Sequence, residues 1–323
     1  MGTRRDKKKK KKPNQPGHGA AKTAAKQSKA EAKAQRRVAS GLGTDEDDLD
    51  ALLAAVALQD ATANAVTLEE LGIHPTTGAP AQPSPRVSAT LCACIHGVPG
   101  TREARPELVL HGGEWHDPER DRTTVYGQTF VFCCARRRWQ RLQTPDPPPP
   151  RSGHAAAVVR WPPAGAHPGF LYVWGGEFVS PNDARFRHWR DLWRLDLETR
   201  RWAGPLPGGS KGGPSARSGA RMAAWGRRLV LFGGFTDDGS REARYHQDLW
   251  CLDTGGGPGA KWIALGHDGG EGRGPSPRSA VGLIVVPAGG GEPARLFIHM
   301  GYTREPDSTD AEVERGKRVS GRA

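Results

Sequence analysis

The sequence lacks an apolar run of the roughly 20 residues that a membrane-spanning helix requires. Six consecutive lysines, Lys7 to Lys12, lie near its start, where a secretory signal would carry an apolar segment. These absences predict no association with a membrane, and they favour an intracellular protein in the nucleus or the cytoplasm.

Cysteine is scarce, and its spacing does not match a metal site. The five cysteines are an odd number, and no pair is followed by a second pair of Cys or His, as structural zinc sites require. The pattern predicts reduced thiols. The five residues are Cys92, Cys94, Cys133, Cys134 and Cys251.

Signatures of catalysis are also missing. None of the eleven histidines lies in a His-x-x-x-His pair, and the phosphate-binding pattern Gly-x-x-x-x-Gly-Lys does not occur. We therefore expect no enzyme, no bound metal and no cofactor. His111 and His299 hold matching positions at the ends of apolar runs, and they are interpreted as core histidines bonded to the backbone, with metal ligands as the alternative.

The excess of basic residues is confined to the start of the chain. Residues 1–40 hold 14 of the 47 Lys and Arg but only two of the 35 Asp and Glu, so the remainder carries equal numbers of each sign. This distribution excludes a basic nucleic-acid groove on the folded part, because such grooves cluster cations against phosphates. Residues 1–40 are predicted to be a disordered tail that acts as a nuclear address or binds RNA.

A helix and a linker are predicted between the tail and the body. Thr44 is placed to cap a first turn rich in acidic residues. An apolar stripe follows at Leu49, Leu52, Leu53 and Val56, and it predicts a helix over about 45–58. This helix either docks on its own domain or binds a groove of a partner. Prolines then indicate a linker over 74–85, so residues 41–84 form helix and linker.

From residue 85 the chain repeats one unit with a period of about 60 residues. Each copy opens with an arginine, at Arg86, Arg151, Arg217 and Arg278. An apolar run then ends at a glycine pair, at Gly112-Gly113, Gly175-Gly176 and Gly233-Gly234, with Met300-Gly301 in the fourth copy. The pattern Asp-Leu-Trp follows in two copies, with its tryptophan at Trp193 and Trp250. A lone tryptophan closes three copies, at Trp139, Trp202 and Trp262.

These features predict short strands in packed sheets. Apolar runs of four or five residues without alternation are typical of strands buried on both faces, and the closing tryptophans are predicted to pack between neighbouring units. The copies span residues 85–149, 150–215 and 216–276, with a partial copy over 277–303. Residues 304–323 lack a strand pattern and are predicted to be disordered or the end of an incomplete copy.

The repeats resemble kelch repeats, because glycine pair, aromatic third strand and closing tryptophan recur in the same order. The resemblance covers residues 85–303 and implies an all-β fold, a β-propeller of four-stranded blades. The first copy departs from the pattern, since it has Gly127-Gln128-Thr129-Phe130 at the third strand. We expect about three full blades and a partial fourth in an incomplete ring with bare sheet edges.

Two sets of residues are candidates for binding a partner. The opening arginines Arg86, Arg151, Arg217 and Arg278 would form an arc that binds a carboxylate, or each would tie its blade to a neighbour through carbonyl oxygens. The second set lies in the loops ahead of Asp-Leu-Trp and would either anchor a protein interface or pack within the blades. It comprises Phe186, His188, Trp189, Tyr245 and His246.

The sequence favours a non-catalytic scaffold that binds protein partners through the loops of its repeats. The identity of such a partner is not encoded in any motif. The alternative from another class is an RNA- or ribosome-associated factor whose lysine tail binds phosphate. The kelch resemblance implies a third possibility, the substrate receptor of a ubiquitin ligase.

Overall fold

The computed structural model describes residues 64–97, 104–160, 167–180, 186–206, 212–237, 243–265, 274–287 and 294–304. The predicted basic tail and the predicted helix over 45–58 lie outside these residues. The chain divides into two units, Met1–Ala63 and Asn64–Ala323, and the description below concerns the second. No helix in the described ranges is long and apolar enough to cross a membrane.

The described residues form β-strands and one short 3₁₀ helix, Thr254–Gly259. In chain order the strands are β1 (Thr67–Glu70), β2 (Thr90–Gly97), β3 (Ala104–His111), β4 (Glu114–Asp117), β5 (Arg122–Val125), β6 (Thr129–Cys133), β7 (Arg138–Gln143), β8 (Ala155–Val159), β9 (Phe170–Trp174), β10 (Glu177–Val179), β11 (Phe186–His188), β12 (Leu192–Asp196), β13 (Trp202–Ala203), β14 (Arg221–Trp225), β15 (Arg228–Phe232), β16 (Phe235–Thr236), β17 (Arg244–Tyr245), β18 (Leu249–Asp253), β19 (Trp262–Leu265), β20 (Gly282–Val286) and β21 (Arg295–His299). The fold is therefore all-β, as the sequence predicts.

Each repeat folds into one antiparallel sheet. The second sheet has the order β13-β12-β9-β8 and the third β14-β15-β18-β19, so consecutive strands of a copy are neighbours. The first sheet has the order β1-β7-β6-β3-β2, and a fourth, two-stranded sheet consists of β20 and β21. The first strands of successive sheets, β2, β8, β14 and β20, contact one another in chain order. The repeat period thus corresponds to one sheet.

The strand β1 extends the first sheet by one strand beyond the repeat. It pairs antiparallel with β7, from Thr67 opposite Gln143 to Glu70 opposite Gln140. The sequence predicts helix and linker for this region, so the strand is a departure from that prediction. All four residues of β1 are exposed, so its composition carries no burial pattern. Pairing with the edge of β7 therefore accounts for its extended conformation.

The apolar runs lack alternation because both faces of a sheet are covered. Along β9, Leu171 and Val173 belong to a core shared with Val109 of the first sheet. Trp174, which points to the opposite face, belongs to a core shared with Leu231 of the third sheet. Since successive side chains of a strand alternate between faces, burial of both faces makes every position apolar.

The closing tryptophans of the second and third sheets lie against the preceding sheet. The ring of Trp202 is 5.0 Å from that of His111, between centroids, and the ring of Trp262 is 6.2 Å from that of Trp174. His111 and Trp174 are both the last residue before a glycine pair. Trp139 instead packs within its own sheet, 5.1 Å from a phenyl ring of β6. Trp202 and Trp262 therefore fill equivalent places between consecutive sheets, as predicted, whereas the contact of Trp139 with its own sheet departs from that prediction.

The glycine pairs turn the chain where a side chain would collide with the backbone. Gly175 and Gly176 have φ angles of 66° and 95°, in a region that favours glycine. A Cβ on Gly176 would lie 2.6 Å from the carbonyl oxygen of Ser152. The pairs Gly112-Gly113 and Gly233-Gly234 have the same conformation. In the fourth copy, Met300 adopts it with φ 58°.

We predict that Leu171→Ala destabilises the protein by about 2–5 kcal/mol, because it leaves a cavity in the core between the first two sheets. Leu171 is 0% exposed. Ile263→Ala is the matched control, since Ile263 is 62% exposed and should cost much less. Urea unfolding followed by tryptophan fluorescence measures both. Equal losses for the two variants would contradict the shared core.

Candidate protein-binding face

Two opening arginines are clasped inside their own sheets. The Nη1 and Nη2 atoms of Arg151 donate to the two carboxylate oxygens of Asp191, at 2.9 and 3.0 Å. Nη1 also donates to the carbonyl oxygen of Gly175 at 3.0 Å. Arg217 binds Asp248 in the same bidentate way and also reaches a glycine-pair carbonyl. Each arginine thus joins the start of a sheet to its glycine pair and its third strand.

The same carboxylates explain the pattern Asp-Leu-Trp. The indole N–H of Trp193 donates to Asp191, and that of Trp250 donates to Asp248, each at 2.7 Å. Burial by itself raises the pKa of both aspartates, but the arginine charge and these hydrogen bonds outweigh it and hold the pKa below its usual value. Arg, Asp and Trp therefore form one unit, called the clasp below.

The clasp corrects the expectation that these arginines bind a partner. Arg151 and Arg217 are buried, and their guanidinium groups are already bonded to a carboxylate of the same sheet. The alternative, a bond to carbonyl oxygens of a neighbouring blade, also changes, because the carbonyls belong to the arginine's own sheet. The sequence placed Arg and Asp at regular distances but carried no indication that they pair.

The first copy carries a weaker version of the clasp. Arg86 donates to the carbonyl oxygen of Gly112 at 3.1 Å and to the side-chain oxygen of Gln128 at 3.2 Å. Its guanidinium also lies over the ring of Tyr126, 4.1 Å from the centroid. The departure noted in the sequence, Gln128 in place of aspartate, thus replaces a charged partner by a neutral amide at the same place.

A hairpin follows each glycine pair of the first three sheets, formed by β4–β5, β10–β11 and β16–β17. Each hairpin meets the opening segment of its own copy through a backbone bridge, such as Ser152 with Glu177 and Ser218 with Phe235. In the fourth copy the bridge joins Ser279 and Tyr302. We call the surface formed by these hairpins, the opening segments and Tyr302 the hairpin face.

Backbone hydrogen bonds hold the opening segments at fixed spacing. The amide of Gly153 donates to the carbonyl of Ser88 at 2.9 Å, and that of Gly219 to the carbonyl of Gly153 at 2.7 Å. The amide of Ala280 donates to the carbonyl of Gly219 at 2.8 Å. Because these bonds run from sheet to sheet, the hairpin face is a rigid platform and not a set of independent loops.

A row of aromatic rings crosses the hairpin face. It runs from the second sheet to the fourth copy, with ring centroids 4.9 to 6.1 Å apart. Its members are Phe186, His188, Phe235, Tyr245 and Tyr302. Phe186 and Tyr302, at the two ends, are 45% and 57% exposed. Phe235 and Tyr302 are not among the residues predicted from the sequence. The available signal was their position, directly after Gly233-Gly234 and directly after Met300-Gly301.

The candidate residues of the loops divide into supporting and accessible ones. The backbone amide of Asp237 donates to Nε2 of His188 at 2.9 Å, so Nδ1 carries the proton and donates to Ser218 Oγ at 3.1 Å. Burial lowers the pKa of His188, which keeps it neutral. His246 is buried, 2.9 Å from the hydroxyl of Thr236. These two histidines hold the platform.

Trp189 is a supporting residue of the hairpin face, whereas Phe186 is accessible to a partner. The guanidinium of Arg187 lies over the ring of Trp189, 3.8 Å from its centroid, and that of Arg151 lies 5.2 Å away. Trp189 therefore links the clasp to the surface, because its ring contacts the buried guanidinium of Arg151 and the guanidinium of Arg187 on β11. Phe186 and the half-buried Tyr245 offer their rings more openly.

Carboxylates lie beside the aromatic row. The hydroxyl of Ser152 donates to Glu114 at 2.9 Å, and that of Ser218 donates to Glu177 at 2.7 Å. Burial raises the pKa of Glu177, and the nearby charges of Glu114 and Asp237 raise it further. A cluster of like charges at a half-buried position favours a cationic group placed against it.

A separate group, Cys94, His96 and Glu107, has ligand-type atoms within 4.8 Å of one another. His96 Nε2 lies 3.0 Å from Glu107 Oε2 and 3.7 Å from Cys94 Sγ. Sequence spacing did not predict this group, because the strand register places Glu107 opposite Cys94. The guanidinium of Arg200 bonds to Glu107 and lies 3.2 Å from His96. Arg200 therefore supplies the cation here and links the second sheet to the first.

Burial also lowers the pKa of two other histidines, His111 and His246. Burial lowers the pKa of His111 from 6.5 to about 3, and nearby arginines contribute. The pKa of His246 falls to about 4 for the same reasons. His111 Nδ1 lies 3.0 Å from the hydroxyl of Thr129, a side-chain partner and not the predicted backbone one. His299 is exposed, which corrects its assignment to the core.

Antiparallel sheets in series, with glycine-pair turns and tryptophans between them, define a kelch-repeat protein with sheets of the β-propeller type. The family model described as the KLHDC2/KLHL20/DRC7 Kelch-repeats domain matches residues 101–306, and the chain belongs to this family. The kelch resemblance in the sequence is thereby confirmed at the level of the family.

Curated relatives match over shorter stretches. Kelch domain-containing protein 1 is 32% identical over 110 residues in Homo sapiens and 34% in Mus musculus, covering 32% of this chain and 23% of the relative in each case. The flagellar outer-arm dynein alpha chain of Chlamydomonas reinhardtii is 26% identical over 150 residues, which is 46% of this chain and 3% of that protein. The matches thus span less than a quarter of these relatives.

A solved structure titled "Structure of YjhT" is also similar to this chain. The identity is 20% and the TM-score 0.44, over 62% of this chain and 56% of the other.

We predict that Arg151→Ala costs about 3–5 kcal/mol, because it leaves Asp191 largely buried without its cation. Arg227→Ala is the matched control. Arg227 also binds an aspartate, Asp253, but that pair is exposed to solvent and should contribute far less. Chemical unfolding of both variants measures the difference. A similar loss in both would mean that burial does not distinguish the clasp from a surface pair.

We predict that the free energy of unfolding decreases as the pH falls from 6.5 toward 4. In this range His246 is protonated in the unfolded chain but stays neutral in the folded protein, where its pKa is about 4. In His246→Gln this decrease should be shallower. Glu177, whose raised pKa acts in the opposite direction, is the same in both proteins and cancels from the difference. Urea unfolding at several pH values measures the slopes, and parallel slopes would contradict a neutral buried His246.

Proposed function

We propose that this protein is a non-catalytic interaction scaffold whose hairpin face binds a segment of a protein partner. The aromatic row from Phe186 to Tyr302 carries the proposal. It presents exposed rings on a platform that is fixed by the hydrogen bonds between opening segments. Aromatic side chains on a rigid frame are the usual anchors of protein interfaces, because they bury a large area with little loss of entropy.

The charges beside the row indicate the chemistry of the bound segment. Glu114, Glu177 and Asp237 place negative charge among the rings, so a lysine or arginine of the partner would gain both ion pairing and cation–π contact. We therefore propose a basic partner segment. This choice replaces the carboxylate that the opening arginines were predicted to bind, since two of those arginines are buried in clasps.

Among the candidate residues, we propose contact roles for Phe186 and Tyr245 and supporting roles for His188, Trp189 and His246. A substrate receptor of a ubiquitin ligase is a special case of such a scaffold. The RNA- or ribosome-associated alternative depends on residues 1–40, which lie outside the described part of the chain.

Finer features of the architecture are proposals of the same kind. They are the domain boundaries at residues 40, 84 and 303, and the arrangement of the described sheets as three blades of a β-propeller and part of a fourth. A closer resemblance, to kelch domain-containing protein 4, is suggested by residues 175–193 together with the lysine-rich start.

We predict that the double variant Phe186→Ala with Tyr302→Ala loses partners that the wild-type protein retains in cells. The measurement is affinity capture with crosslinking and mass spectrometry, so that crosslinks report which residues lie at the contact. Ile95→Ala, at an exposed apolar residue of the first sheet, is the matched control and should retain them. Glu177→Gln should weaken capture of basic segments selectively.

Unchanged capture by the double variant, with crosslinks away from the hairpins, would refute the hairpin face as the binding site. Capture that depends instead on residues 1–40 and declines steeply with salt would favour the RNA-associated alternative.

A further inference from the structure

Three side chains of the metal-ligand type meet on one face of the first sheet. Cys94 and Glu107 lie directly opposite each other on β2 and β3, and His96 shares their face because side chains alternate along a strand. Their ligand atoms, one from each residue, all lie within 4.8 Å of one another. The group is largely buried, since Cys94 is 3% exposed and the side chains of His96 and Glu107 are 20% and 16% exposed.

The repeat itself does not require ligand-type residues at this place. In the second sheet, the same register positions hold Val159 opposite Phe170, and in the third sheet they hold Trp225 opposite Arg228. In all three sheets, the residue on the second strand lies four positions before the residue that precedes the glycine pair. Neither of the other pairs contains a metal ligand, so the packing of the repeat does not account for the ligand-type residues of the first sheet.

The separations of these atoms suit a tetrahedral metal site. His96 Nε2 lies 3.0 Å from Glu107 Oε2 and 3.7 Å from Cys94 Sγ. Bonds of the lengths that Zn²⁺ forms with nitrogen, oxygen and sulfur would place such atoms about 3.3–3.6 Å apart at tetrahedral angles. Zn²⁺ accepts this mixture of ligands, whereas Mg²⁺ and Ca²⁺ prefer oxygen alone. The ligand set therefore favours Zn²⁺.

Arg200 holds the place of a cation in this group, but its own hydrogen bonding is incomplete. Its Nη2 bonds to Glu107 and lies 3.2 Å from His96 Nε2. The Arg200 side chain is only 11% exposed, and its Nη1 is buried without an acceptor among the described residues. A buried N–H group without an acceptor costs free energy, and a metal ion in place of the guanidinium removes that cost. Since the side chain extends from the turn between β12 and β13, it can leave the ligands without movement of a strand.

We propose that Cys94, His96 and Glu107 form a Zn²⁺ site in which the metal ion takes the place of the Arg200 guanidinium. Each of the three residues supplies one ligand, with Cys94 bound as the thiolate, and the fourth position is open to water. The sequence predicts no bound metal, because these ligands come from two strands and their spacing along the chain matches no metal-binding motif. The site lies in the first half of β3, whereas the hairpin face follows its end, so the proposal does not depend on the proposed function.

The test titrates the full chain with Co²⁺, which substitutes for Zn²⁺ and gives a near-ultraviolet charge-transfer band when a thiolate binds it. We expect this band in the wild-type protein and its loss when Zn²⁺ is added. Cys94→Ser should abolish the band, and Glu107→Gln should weaken binding at least about tenfold, a loss typical even of groups that only support a ligand. Cys251→Ser is the matched control, since Cys251 is a buried thiol of the third sheet, and it should keep the wild-type affinity.

Arg200→Met tests whether the guanidinium and the metal ion compete for one place. This variant should bind Co²⁺ at least about tenfold more tightly than the wild-type protein, because a positive charge beside the ion is removed. Zn²⁺ should also protect Arg200→Met against urea more than it protects the wild-type protein, since Glu107 is otherwise buried without a cation. Far-UV circular dichroism identifies any variant that fails to fold, and the wild-type titration does not depend on the variants.

Absence of the band from the wild-type protein would overturn the proposal, even where Arg200→Met binds Co²⁺, because the guanidinium would then hold the site permanently. A band that persists in Cys94→Ser would overturn it as well, since the thiolate ligand would lie elsewhere. Equal affinities of Arg200→Met and the wild-type protein for Co²⁺ would contradict the exchange of guanidinium for metal.

Discussion

The structure depends on sheets that bury apolar side chains on both faces. A four-stranded sheet with Leu171 on one side and Trp174 on the other exposes a large apolar area unless a neighbour covers each face. Stability therefore arises at the contacts between consecutive sheets, as in other repeat architectures, and not within one unit. The closing tryptophans Trp202 and Trp262 are placed at these contacts because they fill the space that two twisted sheets leave between them.

The clasp fixes the positions of the strands within the stacked sheets. In the second and third sheets, an arginine from the start of the sheet reaches the glycine pair and an aspartate directly before the third strand, and a tryptophan donates to the same carboxylate. A buried ion pair contributes little net stability compared with apolar packing, but it specifies which strands meet. Since the opening segments are bonded to one another, the clasps also position the hairpins that carry Phe186 and Tyr245.

Local pattern accounts for more of the fold than of the candidate site. Local requirements of single residues account for three features: the strands buried on both faces, the glycine turns and the order of strands within a copy. The positive φ of Gly175 and Gly176 is one such requirement. The site depends on pairs that are distant in the chain. The pairing of Arg151 with Asp191, and of Cys94 with Glu107, requires the strand register, so spacing in the sequence could not identify either.

The sequence by itself determined the repeat, its period and the all-β class, because glycine pairs and uninterrupted apolar runs restrict the backbone directly. Only the tertiary structure decided what the arginines do, since burial against a carboxylate converts a candidate binding residue into a structural one. It also decided that residues 67–70 form a strand, through the edge of β7 that accepts them. Likewise, Phe235 and Tyr302 become part of a surface only when neighbouring sheets bring their rings together.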